Sequence, residues 1–217
     1  MVTKLFISKQ EQDIQKYLPL FKAKSFEVIS HSFLQFEAFS FQIQKPYQAL
    51  FFGSPRAVDF FLKQEIISNN IFIGCIGEVT AKSLTDNKIK VNFIGESSSD
   101  PTDVAKQFQA KVGKKNILFP QSLGSHRSIV RVFPSLQTEE LAIYKTVIIP
   151  QSIPSCDTYV FTSPSNADGF LKENTISENA KIIAWGKTTE KHILAKGLRT
   201  SMTLKEASME ELISVLG

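Results

Sequence analysis

The sequence lacks most of the motifs that hold a cofactor. It has no GxxxxGK[ST] loop for a nucleoside triphosphate, no GxGxxG for a dinucleotide, no HExxH for zinc and no GxSxG elbow for a serine nucleophile. Three histidines, His31, His126 and His192, stand far apart without ligand spacing, so each reads as a surface or structural residue. Cysteine is scarce: Cys75 and Cys156 flank apolar runs and read as buried thiols of a reducing compartment, which excludes a disulfide scaffold. No apolar run approaches the ~20 residues of a membrane span. The opening MVTKLFISKQEQ lacks the apolar stretch and small-residue cleavage site of a signal peptide. A cytoplasmic protein is expected. Against 18 Phe there are only 4 Tyr and 1 Trp, a set that suits core filling better than base stacking. The net charge of +4 is spread thinly, with Lys111, Lys114 and Lys115 its densest group. Without a basic stripe or a recognition helix, no nucleic-acid partner is expected, and none in a membrane. A small polyanion suits this balance.

What the chain does contain is a copy of part of itself. Residues 50–107 shifted by 109 positions fall on 159–216 without a gap. LFFGSPRAVDFFL (50–62) meets YVFTSPSNADGFL (159–171), and IGCIGEVTAKSL (73–84) meets IIAWGKTTEKHI (182–193). The matched pairs include Ser54/Ser163, Pro55/Pro164, Asp59/Asp168, Gly77/Gly186 and Thr80/Thr189. Two copies are too few for a solenoid; they predict two similar lobes.

Short apolar runs alternate with helical periodicities, the signature of parallel α/β sheets. Strands are expected at 4–8, 26–29, 49–52, 71–76, 90–94, 116–119, 139–149, 158–161, 181–184 and 199–202. Helices are expected at 13–21, 55–64, 79–84, 101–112, 125–133, 164–172, 188–196 and 208–216. The second copy lacks a leading strand–helix–strand, which the first ~30 residues supply. One lobe is therefore expected to be discontinuous, residues 1–31 with 152–217, and the other inserted, residues 38–145. The linkers 32–37 and 146–151 are rich in β formers and predict a two-stranded ladder.

The duplicated turns carry the candidate chemistry. Ser54-Pro55 and Ser163-Pro164 lie where a strand gives way to a helix, with Ser as N-cap and Pro preformed for the first turn. Free amides at such starts favour anions, and ligands of open parallel sheets bind at the carboxyl ends of the strands. Gly77-x-x-Thr80 and Gly186-x-x-Thr189 are strand-to-helix turns of the same kind, with Thr188 beside them. Together these turns are expected to line an interlobe cleft with amides and hydroxyls.

The ordered set FGSPRAVDFF (52–61), CIGEVTAKSL (75–84), LFPQSLGSHR (118–127), YKT (144–146), FTSPSNADGF (161–170) and WGKTTEKHILAKGL (185–198) resembles the uroporphyrinogen-III synthases over nearly the whole chain. The chain departs from the family pattern at Gly53, at Glu78 and at Ser8-Lys9-Gln10. The resemblance implies two α/β lobes joined by the ladder and a cofactor-free lyase of tetrapyrrole and haem biosynthesis. Such an enzyme closes hydroxymethylbilane, a polycarboxylate, to uroporphyrinogen III with loss of water and inversion of ring D. It implies a substrate site built from Ser54, Pro55, Arg56, Gly77, Thr80 and Arg127 in one lobe. In the other lobe it implies Ser163, Ser165, Asn166, Gly186, Lys187, Thr188 and Thr189, with Tyr144 giving a proton to the departing hydroxyl. No metal is implied. A monomer, in transient contact with the preceding enzyme of the pathway, is expected. The alternative is a non-catalytic two-lobed cytoplasmic module that binds a small polyanionic ligand; turnover separates the two.

Overall fold

Buried apolar runs form the strands, and helices of one apolar face pack on both sides of them. The computed structural model describes residues 2–96, 100–125 and 127–216. In chain order the elements begin with β1 (Thr3–Ile7), α1 (Glu11–Ile14), α2 (Leu18–Ala23), β2 (Phe26–Ser30) and β3 (Leu34–Ala38). Next come β4 (Ala49–Phe52), α3 (Pro55–Leu62), β5 (Phe72–Ile76), α4 (Glu78–Asp86), β6 (Phe93–Gly95), α5 (Pro101–Val112), β7 (Ile117–Ser122) and β8 (Thr138–Ile148). The chain ends with β9 (Thr158–Phe161), α6 (Pro164–Leu171), β10 (Lys181–Ala184), α7 (Lys187–Ala195), β11 (Met202–Thr203) and α8 (Met209–Val215).

The chain divides into two compact units, Met1–Gln35 with Val147–Gly217, and Phe36–Thr146. Both boundaries fall inside strands that are sheet neighbours, β3 and β8. Their amides bond crosswise, Phe39 N–H to Ile143 C=O at 2.9 Å and Ile149 N–H to Phe33 C=O at 2.8 Å, the pattern of an antiparallel pair.

Unit 1 holds the sheet β11-β10-β9-β1-β2, parallel throughout. Alternation sends Leu5, Ile7, Val160 and Ile183 to one face, against Ile14, Phe21 and Leu212. Phe6, Tyr159, Phe161 and Ile182 go to the other face, against Ala167, Phe170 and Ile193 of α6 and α7. Unit 2 holds β8-β7-β4-β5-β6 as a parallel run, with β3 outside β8. Leu50, Phe52, Ile73 and Cys75 pack on Val58, Phe61 and Leu84 of α3 and α4. Ala49, Phe51, Ile117 and Phe119 pack on Val104, Phe108 and Val112 of α5. Each buried aromatic or branched aliphatic side chain contributes about 1.5–3 kcal/mol.

Four local expectations are corrected. The helix expected at 13–21 is broken: a 3₁₀ turn, Gln15–Tyr17, separates α1 from α2. Pro19 is the cause, since it has no amide to donate and its ring crowds the carbonyl four residues back. In place of a helix at 125–133, the described residues hold only a 3₁₀ turn, Val130–Val132. Gly124 and Arg127 have positive φ, +82° and +59°, which a right-handed helix cannot include. His126 lies outside the described residues. The strand expected at 90–94 is confined to β6, and the one expected at 199–202 starts only at Met202.

Candidate active site

In each sheet the strand order reverses once. The chain runs outward from β4 to β5 and β6 on one side and from β7 to β8 on the other. In unit 1 the reversal lies between β1 and β9. Ligands of doubly wound sheets bind at the carboxyl ends of the strands beside such a reversal. In unit 2 those ends are Gly53-Ser54 and Gln121-Ser122; in unit 1 they are Ser8-Lys9 and Thr162-Ser163.

The two Ser-Pro turns are built alike. Ser54 has φ −163° and ψ 156°, and Ser163 has φ −160° and ψ 159°. Each Oγ accepts the amide of the third residue on, Ala57 or Asn166, at 3.2 Å. Accepting that bond leaves the hydroxyl proton for another acceptor. Pro55 and Pro164 open α3 and α6.

The Gly-x-x-Thr turns divide their labour. Gly77 takes φ +75°, a conformation only glycine adopts readily, whereas Gly186 is extended. Thr80 and Thr189 are buried at 3% and 4% exposure, and their hydroxyls have no partner among the described residues. The positions before them, Val79 and Thr188, are the exposed ones.

In unit 2 a cleft of about 240 Å³ opens at the strand ends, lined among others by Gly53, Ile76, Gln121, Ser125, Arg127 and Ser128. Arg127 does not stand alone there. Its guanidinium grips Glu140 with two bonds, one from Nε to Oε2 at 2.7 Å, and Gln121 Nε2 donates to the same Oε2 at 2.8 Å. The bond from Arg127 lowers the Glu140 carboxyl from its ordinary pKa, against the opposing effect of burial. Arg56 lays its guanidinium 3.4 Å from the centre of the Phe36 ring. Phe36 meets Tyr144 edge-on, and Phe60 of α3 stacks on it. Tyr144 is buried, at 6% exposure, and its hydroxyl has no partner among the described residues. It lies opposite an irregularity of register at Gln121/Ser122: Gln121 pairs with Ala142 and Ser122 with Tyr144, so that Ile143 is passed over on β8.

In unit 1 the reversal is laced shut. Thr162 N–H donates to Ser8 Oγ at 2.7 Å, and Thr162 Oγ1 donates to Ser8 C=O at 2.6 Å. The Asn166 side chain is buried; Oδ1 accepts the Phe33 amide at 3.0 Å, and Nδ2 donates to Ser163 Oγ at 3.3 Å. Asn166 thus holds the Ser163 hydroxyl in place. Ser165 is half-buried in the first turn of α6, and Lys187 and Thr188 are exposed in that of α7.

The family model of uroporphyrinogen-III synthase HemD matches residues 15–214. The chain belongs to the uroporphyrinogen-III synthase family. It is a lyase-type enzyme that cyclises hydroxymethylbilane in tetrapyrrole biosynthesis. Uroporphyrinogen-III synthetase from Helicobacter pylori 26695 superposes with a TM-score of 0.73 at 19% identity, over 99% of this chain and 98% of that one. A mutant uroporphyrinogen III synthase from the extremely thermophilic bacterium Thermus thermophilus gives 0.60 at 11% identity, over 99% and 96%. At such identities the likeness speaks for the fold. No curated protein matches the chain in sequence. Among the described residues, no helix is long and apolar enough to cross a membrane.

Sequence reasoning passed over several residues at the strand ends of this synthase. Thr162 faces Gly53 in the alignment of the copies, so the repeat gave it no weight. Glu140 showed no motif, because its partnership with Arg127 is made by the pairing of β7 with β8. His31, read as surface or structural, follows β2 with its ring edge on Phe33 at 4.8 Å. Its pKa is lowered by burial.

Proposed function

We propose that the duplicated strand-end turns of both units hold the carboxylates of hydroxymethylbilane while Tyr144 protonates its terminal hydroxyl. The observation that supports this most is the equality of the two Ser-Pro caps, with the same backbone angles to within a few degrees and the same 3.2 Å bond. Two such turns at the reversals of two sheets offer amides and hydroxyl protons and no strong base, which suits an anionic, acid-sensitive substrate.

Departure of the protonated hydroxyl as water leaves an electrophilic azafulvene. Ring D attacks it through its already substituted carbon. The spiro intermediate fragments and recloses with ring D inverted. The proton released on rearomatisation offsets the one given, so the net loss is one water. The azafulvene reacts readily without help, so the protein's part is to fix geometry and select one closure. Stacking on Phe60 and the edge of Phe36 would hold the Tyr144 ring still for this. Ser54, Pro55, Arg56, Gly77, Thr80 and Arg127 serve the substrate from unit 2. Ser163, Ser165, Gly186, Lys187, Thr188 and Thr189 serve it from unit 1, with Asn166 acting through Ser163.

We further read residues 1–31 with 152–217 and residues 38–145 as the two domains, with linkers between them. The protein acts as a cytoplasmic monomer in transient contact with the preceding enzyme. Hydroxymethylbilane supplied to the purified chain tests the proposal: after oxidation, type III uroporphyrin is expected, and type I alone at enzyme excess would overturn it.

A further inference from the structure

We propose that Lys9, laid over the Trp185 ring at the strand reversal of unit 1, anchors a carboxylate of the substrate and so sets specificity for a polyanion. The inference rests on the family's reaction for the identity of the ligand, and on unit 1 alone for the site.

The backbone of Lys9 is pinned from three sides. Its N–H bonds Ile7 C=O at 2.8 Å, and its C=O accepts from Ser30 Oγ at 2.6 Å. The preceding residue, Ser8, is fully buried, donates its amide to Val160 C=O at 2.9 Å and is bound by Thr162. From this fixed root the side chain reaches across the edge of the sheet, and Nζ stands 5.1 Å from the centre of the Trp185 ring. Trp185 is anchored in turn by its amide on Phe161 C=O at 2.9 Å.

The pairing matters for what it leaves open. Arg127, Lys145 and Lys196 each face a carboxylate, from Glu140, Glu37 and Asp168. The Lys9 ammonium faces an aromatic face and has no acidic partner among the described residues. An aromatic ring orients a cation but accepts its N–H groups weakly, so three donors remain for an arriving carboxylate. The side chain is also half-buried, so an arriving carboxylate displaces little water.

The comparison of the two copies points the same way. Trp185, Lys187 and Thr188 replace Ile76, Glu78 and Val79 of the first copy, and Thr162 replaces Gly53. The strand ends of unit 1 thereby gain an aromatic platform, a cation and two hydroxyls where unit 2 has apolar, acidic or bare positions. The cation of the unit 2 cleft, Arg127, is already neutralised by Glu140. Lys9 and Lys187 therefore give unit 1 uncompensated charge for an anionic ligand, as Arg56 over the Phe36 ring does in unit 2.

The test titrates uroporphyrinogen III into the full chain under anaerobic conditions, following the emission of Trp185, the only tryptophan. Lys9→Met keeps the stem against the indole and removes the charge; Lys9→Arg keeps both. Lys9→Met is expected to bind about tenfold more weakly, the loss of one charged hydrogen bond, with KM raised and kcat nearly unchanged. Its affinity should also fall less with added KCl than that of the parent. Lys9→Arg should stay within about threefold of the parent. Urea melts separate weaker binding from partial unfolding; if Lys9→Met does not fold, Lys9→Gln takes its place with the same expected loss. Parental affinity in the charge-removing variant overturns the proposal. So does an equal loss in Lys9→Arg, which would make Lys9 a packing residue. A parent chain that binds the product but cyclises nothing sinks the catalytic reading and leaves Lys9 to be judged on binding.

Discussion

The ring of Tyr144 lies flat against that of Phe60, centroids 5.0 Å apart and planes 14° from parallel. A stacked ring with a hydroxyl that bonds nothing among the described residues separates packing from chemistry. Tyr144→Phe keeps the stack and removes only the hydroxyl. Turnover should fall about 10²-fold, the lower end of general-acid effects, while stability changes by less than about 0.5 kcal/mol. Steady-state rates and urea melts of the same preparation check both halves; a near-parental rate would assign Tyr144 to packing.

The second copy places Gly169 where the first has Phe60. A Cβ built on Gly169 collides with the Phe33 side chain and comes within 3.1 Å of Ile148 Cγ2. Glycine inside a helix normally costs about 1 kcal/mol against alanine, so Gly169→Ala would stabilise an open site. Here overpacking of about 1–3 kcal/mol opposes and exceeds that gain. The variant should melt at lower urea than the parent. Increased stability would show that α6 does not rest on Phe33.

Cys75 and Cys156 are buried, and burial is the first cause that pushes both thiols up to about 11. A raised thiol pKa keeps the reactive thiolate scarce until strongly alkaline pH. In the folded chain both should resist a disulfide reagent at pH 8, and both should react at once in urea. Rapid labelling of either thiol without denaturant would contradict the burial.

Parts of this architecture are legible in the sequence because local signals and tertiary packing agree there. The helix Pro101–Val112 emerges with the bounds that its proline start and apolar spacing predict. The Ser-Pro turns emerge as caps because both residue types have one favoured use at a helix start. Periodicity fails where a backbone constraint overrides it, at Pro19 and at Arg127. Within the candidate site, the duplicated motifs offer their residues as candidates from sequence, whereas Glu140 and the neighbours of Ser8 and Lys9 emerge only once parallel pairing brings distant segments together. Thr80 and Thr189 illustrate a further limit: the repeat identifies them, but not that they are buried while Thr188 is exposed.

The central claim is that the duplicated turns of both units serve one ligand. Titration of uroporphyrinogen III against Ser54→Ala, Ser163→Ala and the double variant tests it most directly. Each single change removes one hydroxyl proton and should weaken binding by about 1 kcal/mol, roughly fivefold in Kd. The double variant should lose about the sum if each turn holds its own part of the ligand. Loss of each cap should also lower stability by about 1 kcal/mol, which leaves the chains folded during the titration. If Ser54→Ala weakens binding and Ser163→Ala leaves it unchanged, or the reverse, the ligand belongs to one unit and the account is contradicted.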